Sequence, residues 1–254
     1  MVDRRTAFIA VGVVLVAFAI SVGVALIVAS TVITKLVGNT SIASYNSYVA
    51  AIEYNKPLEP VEALSNEGEI RIPVEGVVNI VVPQYVNCPD VCHWESAIML
   101  YLMGELVDRG LQDKVVFVTI GVNPYYETIA DGERYMESVA GDYLEKGVRW
   151  IWVLDSVEKQ EKLWDMFGIA VSLYCVKKDG SIVNQLTYED YLSLKNSGEC
   201  RFIGVNHTAG FIIVDSQGVF RYFISPTDEG WQRGQKQVAE AILQYILNLV
   251  EESG

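Results

Sequence analysis

The segment VVNIVVPQYVNCPDVC, residues 77–92, joins an apolar run to a short loop that carries two cysteines. Its first part, Val77 to Val82, is mostly apolar and predicts a buried strand. From about Asp90 to Asp108 the apolar residues recur at near-helical spacing, which predicts a helix. Cys88 and Cys92 therefore lie where a strand passes into a helix. The helix dipole and the free backbone N–H groups at such a position favour thiolate over thiol.

The rest of the chain alternates between strand and helix patterns. Strands are predicted at 114–121, 149–154, 209–214 and 219–224, and helices at 128–146, 157–167 and 235–251. This order predicts an α/β sandwich with a mixed sheet flanked by helices, rather than a bundle or a barrel.

The N-terminal region predicts a membrane anchor. Residues 6–34 contain no charged side chain, and a helix of that length would reach beyond a hydrocarbon core of about 30 Å. The run is about twice as long as the apolar core of a signal peptide. Arg4 and Arg5 precede it, so the positive-inside rule puts the N-terminus in the cytoplasm and the remaining chain outside. We therefore expect a single-pass protein of the cell membrane.

Composition along the chain divides it into three parts. Residues 1–35 form the cytoplasmic tip and anchor, the polar and irregular residues 36–67 predict a linker, and residues 68–254 predict one extracytoplasmic globular domain. The net charge of −13 argues against nucleic acid as a partner. No phosphate loop, serine triad or paired-carboxylate pattern is present in the sequence.

The spacing of Cys88 and Cys92 lets their sulfurs converge on one face of a helical turn. They could then share a soft metal ion or form a disulfide, and the spacing does not choose between these. The chain has two histidines. His207 lies in a polar turn before a predicted strand, where side chains are displayed. His93 is either an extra ligand or a solvent-facing residue of the first helical turn.

Three segments resemble the Sco/SenC family of copper proteins. They are YVNCPDVC at 85–92, TIGVNPYYET at 119–128, and VNHTA at 205–209 with the following FIIVDSQGVF at 211–220. They match the family's CPxxC pair, its DP-like turn, and its DHS-like histidine before a strand and a DxxGxF turn. The sequence departs from this pattern at His93, where the family has proline, and at Asn123, where it has aspartate.

The resemblance implies a thioredoxin-like fold in which Cys88, Cys92 and His207 bind Cu(I) or Cu(II). It also implies a copper chaperone that assembles the dinuclear copper centre of a terminal (cytochrome c) oxidase, with the copper-bearing oxidase subunit as partner. The alternative is a thiol:disulfide oxidoreductase, in which Cys88 attacks a partner disulfide and Cys92 resolves the intermediate. A peroxiredoxin-like enzyme is a third and weaker alternative.

Cys175 and Cys200 flank a polar stretch, residues 176–199, that has the composition of an insertion. We predict a structural disulfide between them, since the rival hypothesis of a second metal or redox pair has no motif behind it. Closing a loop of this length would stabilise the fold by about 3.5 kcal/mol and would hold the insertion near His207.

Overall fold

A computed structural model describes residues 41–253. The strands in this part of the chain are β1 (Ser41–Tyr45), β2 (Val49–Pro57), β3 (Val61–Ser65), β4 (Gly68–Ile72), β5 (Val78–Gln84), β6 (Val115–Gly121), β7 (Arg149–Val153), β8 (Val171–Lys177), β9 (Ile182–Leu186), β10 (Cys200–His207), β11 (Phe211–Val214) and β12 (Val219–Pro226). The helices are α1 (Cys92–Asp108), α2 (Ile129–Leu144), α3 (Val157–Phe167), α4 (Tyr188–Ser197), α5 (Asp228–Arg233) and α6 (Gln235–Glu252).

Nine strands form one mixed sheet in the order β1-β2-β12-β11-β5-β6-β7-β3-β4. Its centre consists of the parallel strands β5, β6 and β7, which are connected through α1 and α2. The strands on either side pair antiparallel to their neighbours. Because parallel strands are covered on both faces, β5 and β6 are buried along their whole length.

Alternation along the central strands produces two apolar cores. In β5, Ile80 and Val82 face the core that contains α1, α2 and α6, whereas Val81 faces the core that contains α3. In β6, Phe117 faces the first of these cores and Val118 faces the second. The structure thus has helices on both faces of a mixed sheet, as the sequence predicts.

Local signals place α3 where the sequence predicts a helix. The side chain of Ser156 caps its start by accepting a hydrogen bond from the backbone N–H of Lys159. Gly168 ends the helix in the left-handed conformation, with φ +68°. Both ends are therefore determined within a few residues.

The globular region begins earlier than the sequence indicates. Residues 41–65 fall within the predicted linker, but they form β1, β2 and β3. Strand β2 pairs with β12 over 49–57, and its Val49 and Ala51 are buried. The side chain of Asn46 accepts hydrogen bonds from the backbone N–H groups of Tyr48 and Val49. The polar residues that resemble a tether in the sequence therefore include the turn between two strands.

The stretch between the second pair of cysteines is an ordered subdomain. Strands β8, β9 and β10 form a separate sheet in the order β10-β8-β9, and α4 follows β9. Thr187 and Asp190 form a capping box at the start of α4. The disulfide expected between Cys175 and Cys200 is present, with a Cα–Cα distance of 5.7 Å, and it links β8 to β10.

None of the helices within residues 41–253 has the length and apolar character needed to cross a membrane. The anchor predicted for residues 1–35 lies outside the described residues.

Candidate metal centre

The two cysteines of the candidate site follow the central strand β5. Cys88 lies in the loop and is half-buried, whereas Cys92 is the first residue of α1 and is only 3 % exposed. The backbone N–H of Cys88 donates to the carbonyl of Tyr85, which curls the loop back toward the strand. Both thiols are free.

The environment gives the two sulfurs different protonation states. The Cys92 S–H donates to Cys88, and the backbone N–H groups of Asp90 and Cys92 donate to the same sulfur, so the pKa of Cys88 falls to about 4. Burial raises the pKa of Cys92, and the neighbouring Cys88 thiolate raises it further. At neutral pH the pair therefore holds one proton, which lies on Cys92.

His207 brings its imidazole to this pair from the last position of β10. Its Nε2 lies 3.5 Å from the Sγ of Cys92, and the donor atoms of Cys88, Cys92 and His207 all lie within 4.8 Å of one another. The Nδ1 of His207 is 2.9 Å from the carbonyl oxygen of Thr208. Because a carbonyl only accepts, this hydrogen bond requires a proton on Nδ1, and Nε2 is the ring nitrogen that faces the sulfurs.

The structure therefore brings together the three residues that the sequence singles out, although His207 ends a strand instead of lying in a turn. His93 is not among the grouped donors. It is exposed, and its ring lies 6.3 Å from that of Trp94.

A buried polar chain fixes the start of α1. The side-chain amide of Gln84 donates to the carbonyl of Cys92 and to the hydroxyl of Ser96, both at 3.1 Å. Thr119 in β6 donates to the side-chain oxygen of Gln84 at 3.1 Å. These bonds tie Cys92 to the ends of the two central strands.

Two buried carboxyl groups, those of Glu95 and Glu127, lie near the site. The sequence gives only weak signals that these side chains are buried there. Glu127 accepts the backbone N–H of Asn87 at 3.3 Å, and burial raises its pKa to about 7. Glu95 is fully buried in the first turn of α1, and burial raises its pKa well above the ordinary value. The sequence suggests only a favourable first-turn acid at Glu95. Glu95 lies three and four residues before Ile98 and Met99, which places it on the buried face of α1. This spacing is the sequence signal from which its burial could have been predicted.

An aromatic side chain shields the imidazole. The rings of Tyr85 and His207 meet edge to face, with centroids 5.9 Å apart and planes at 82°. Burial raises the pKa of Tyr85, and the charge of Cys88 raises it further. Tyr85 therefore stays protonated beside the site.

The mixed sheet with helices on both faces is thioredoxin-like. Its CxxxC loop and the histidine at the end of β10 form a donor set suited to a soft metal. Structural neighbours across most of the chain are proteins of the Sco1/SenC family. The predicted resemblance is thus confirmed for the fold.

Three solved structures show this likeness. A SCO1/SenC family lipoprotein from Bacillus anthracis has a TM-score of 0.52 and 18 % identity, over 78 % of this chain and 96 % of that one. Arabidopsis thaliana ScoI with copper bound has a TM-score of 0.52 and 14 % identity, over 75 % and 98 %. BsSco, described as a member of the Sco family of cytochrome c oxidase assembly proteins, has a TM-score of 0.50 and 14 % identity, over 78 % and 96 %. No protein-family model and no curated protein matches the chain.

Proposed function

We propose that this protein is a copper-delivery protein, which binds the metal through Cys88, Cys92 and His207 and passes it to the copper-bearing subunit of a terminal oxidase. The observation that carries the proposal is the convergence of two sulfurs and one imidazole nitrogen within 4.8 Å of one another. Copper is the cargo of this reaction.

The size and chemistry of the donor set fit copper. With metal–donor bonds of about 2.0 to 2.3 Å, three donors around one ion lie about 3.5 to 4 Å apart. The Cys92–His207 separation of 3.5 Å already meets this requirement. Soft thiolates favour Cu(I), and the imidazole extends the site to Cu(II), so the same residues serve both oxidation states.

Metal binding also moves a proton. Cys88 is a thiolate at neutral pH, but Cys92 must lose its proton to become a ligand. Loading therefore releases one proton from Cys92, and affinity rises with pH.

The comparisons support copper as the cargo and an oxidase as its destination. One structural neighbour was solved with copper bound, and another is described as belonging to a family of cytochrome c oxidase assembly proteins. In our proposal the apolar segment 6–34 anchors the chain in the cell membrane with its N-terminus in the cytoplasm, and the partner is met on the outer face.

A second function, thiol:disulfide exchange, is favoured by the half-buried Cys88 thiolate next to the Cys92 thiol. Cys88 would attack a disulfide between the copper-ligand cysteines of an oxidase subunit, forming a mixed disulfide and releasing one partner thiolate. Cys92, on losing its proton, would then attack Cys88 and release the second partner thiolate. The partner gains two electrons, and a Cys88–Cys92 disulfide remains.

Copper titration of the full chain, purified in detergent, reduced and then freed of reductant before copper is added, tests the first function. We expect one copper per chain and a Cu(II)–thiolate charge-transfer band for the wild type. His207→Ala should lose the band, whereas the matched control His93→Ala should keep it because His93 lies outside the donor group.

Two outcomes would contradict copper delivery. Transfer of copper to an oxidase fragment by His207→Ala at the wild-type rate would remove the imidazole from the mechanism. Absence of stable copper in the wild type would leave exchange through Cys88 and Cys92, which does not need His207.

A further inference from the structure

The loop that follows His207 is held to the helix that carries Cys92 by a buried carboxyl group. Three residues separate the end of β10 from the start of β11, and the last of them is Gly210. Its backbone N–H donates to Oε1 of Glu95 at 2.9 Å. Glu95 lies three residues after Cys92 in the first turn of α1 and is 0 % exposed.

The backbone at Gly210 makes this contact specific. Gly210 has φ +140°, which L side chains rarely adopt, and a Cβ at this position would lie 2.7 Å from the carbonyl oxygen of Ile224. Only glycine permits this close approach to β12. The position of the Gly210 N–H is therefore set by the packing of β11 and β12, and Glu95 reaches it from the other side.

Burying Glu95 is unfavourable in itself. A carboxyl group with no exposure is costly even when it is neutral, and Oε2 of Glu95 has no hydrogen-bond partner among the described residues. The neighbouring positions on this face of α1, Ile98 and Met99, are apolar. An apolar residue would serve the core better at this position, so packing alone does not account for the carboxyl group.

The other end of the loop has its own attachment. The backbone N–H of Thr208 donates to the carbonyl of Ala170, and the backbone N–H of Ala170 donates to the hydroxyl of Thr208. The carbonyl of Thr208 in turn accepts the Nδ1–H of His207. Thr208 thus orients the ring, and the Glu95–Gly210 bond holds the loop at a fixed distance from Cys92.

We propose that Glu95 is a positioning residue that holds His207 against the sulfurs of Cys88 and Cys92, acting through Gly210 and not as a metal ligand. Its carboxylate is not among the grouped donor atoms. The inference rests on the proposed function for its purpose, but the position of the ring can be measured without metal.

Two substitutions separate the hydrogen bond from the charge. Glu95→Gln keeps an oxygen that accepts the Gly210 N–H, whereas Glu95→Leu fills the same space without an acceptor. In the metal-free full chain, histidine ¹⁵N NMR reports the ring directly. We expect Glu95→Gln to keep the wild-type His207 resonances with Nδ1 protonated, and Glu95→Leu to shift or broaden them. The exposed His93 is an internal reference and should not change.

Copper supplies the second readout. Removing a residue that orients a ligand typically weakens metal binding about 10- to 100-fold. We expect this loss for Cu(II) in Glu95→Leu, with wild-type affinity in Glu95→Gln. Cu(I), held mainly by the two thiolates, should change less than about threefold.

Asp215 provides a matched control at the opposite end of β11. It is 8 % exposed, accepts the backbone N–H groups of Gln217 and Val219, and pairs with Arg221. Asp215→Leu should lower stability while leaving the His207 resonances and the ratio of Cu(II) to Cu(I) affinity unchanged.

Unchanged His207 resonances in Glu95→Leu would overturn the inference, and so would equal disturbance in Glu95→Gln and Glu95→Leu. If the wild type binds no copper while Glu95→Leu still disturbs the ring, the proposed function fails and the positioning role of Glu95 stands.

Discussion

Removing the disulfide between Cys175 and Cys200 tests how much the covalent link stabilises the fold. The two cysteines are 25 positions apart. The loop-entropy estimate for that separation gives a loss of about 3.5 kcal/mol in the free energy of unfolding. Cys175 is fully buried, so alanine is the better replacement, since serine would place a hydroxyl group in the core.

The assay is urea unfolding of the full chain in detergent, followed by tryptophan fluorescence. With a urea m-value of about 2 kcal/mol/M, the loss should lower the midpoint by about 1.7 M. Both forms should carry Cys88→Ala and Cys92→Ala, because free thiols next to a disulfide would otherwise exchange with it.

Equal midpoints for the two forms would refute the reasoning. Such a result would mean that β8, β9 and β10 hold the loop closed in the unfolded ensemble without the covalent bond. A second, separate transition in the unfolding curve would instead show that the subdomain unfolds independently of the main sheet.

Two further predictions concern reactivity and packing. Because the pKa of Cys88 is lowered to about 4, its alkylation by iodoacetamide should stay constant from pH 8 to pH 5 and fall only as pH drops through 4; a tenfold decrease per unit below pH 8, measured by mass spectrometry, would contradict this. In α2, Gly132→Ala would place a Cβ 2.4 Å from the Trp152 ring, whereas at Gly141 no atom lies within 4 Å. At Gly132 the overpacking cost of about 1–3 kcal/mol should exceed the gain in helix propensity of about 1 kcal/mol, so Gly132→Ala should lower the thermal midpoint of unfolding. Gly141→Ala has the gain in propensity without the overpacking and should raise that midpoint.

The sequence predicts most elements whose signals are local. Helix α3 is bounded by Ser156 and Gly168, and the central strands β6 and β7 are continuous apolar runs. Strand β2 escapes prediction because its partner β12 begins at Val219, more than 150 residues later along the chain. No short stretch of sequence around Val49 includes both strands of that pair.

The residues of the candidate site also differ in whether local sequence predicts them. The spacing of Cys88 and Cys92 predicts their convergence, because both lie in one turn. His207 is found only through its resemblance to a family motif, since nothing near it in the chain specifies its neighbours. Glu95 is read as a first-turn acid because its partner, Gly210, is 115 residues away.

The donors of the candidate site also differ in when they become available. An unfolded chain can present the paired sulfurs of Cys88 and Cys92, but His207 is 115 residues beyond Cys92. Because the entropy of closing so long a span is lost before the contacts that stabilise it form, we expect the third donor to reach the site late in folding. A cargo that requires all three donors is held fully only by a finished domain. A misfolded copy would present only the two thiolates, so it would lose Cu(II) while still holding Cu(I).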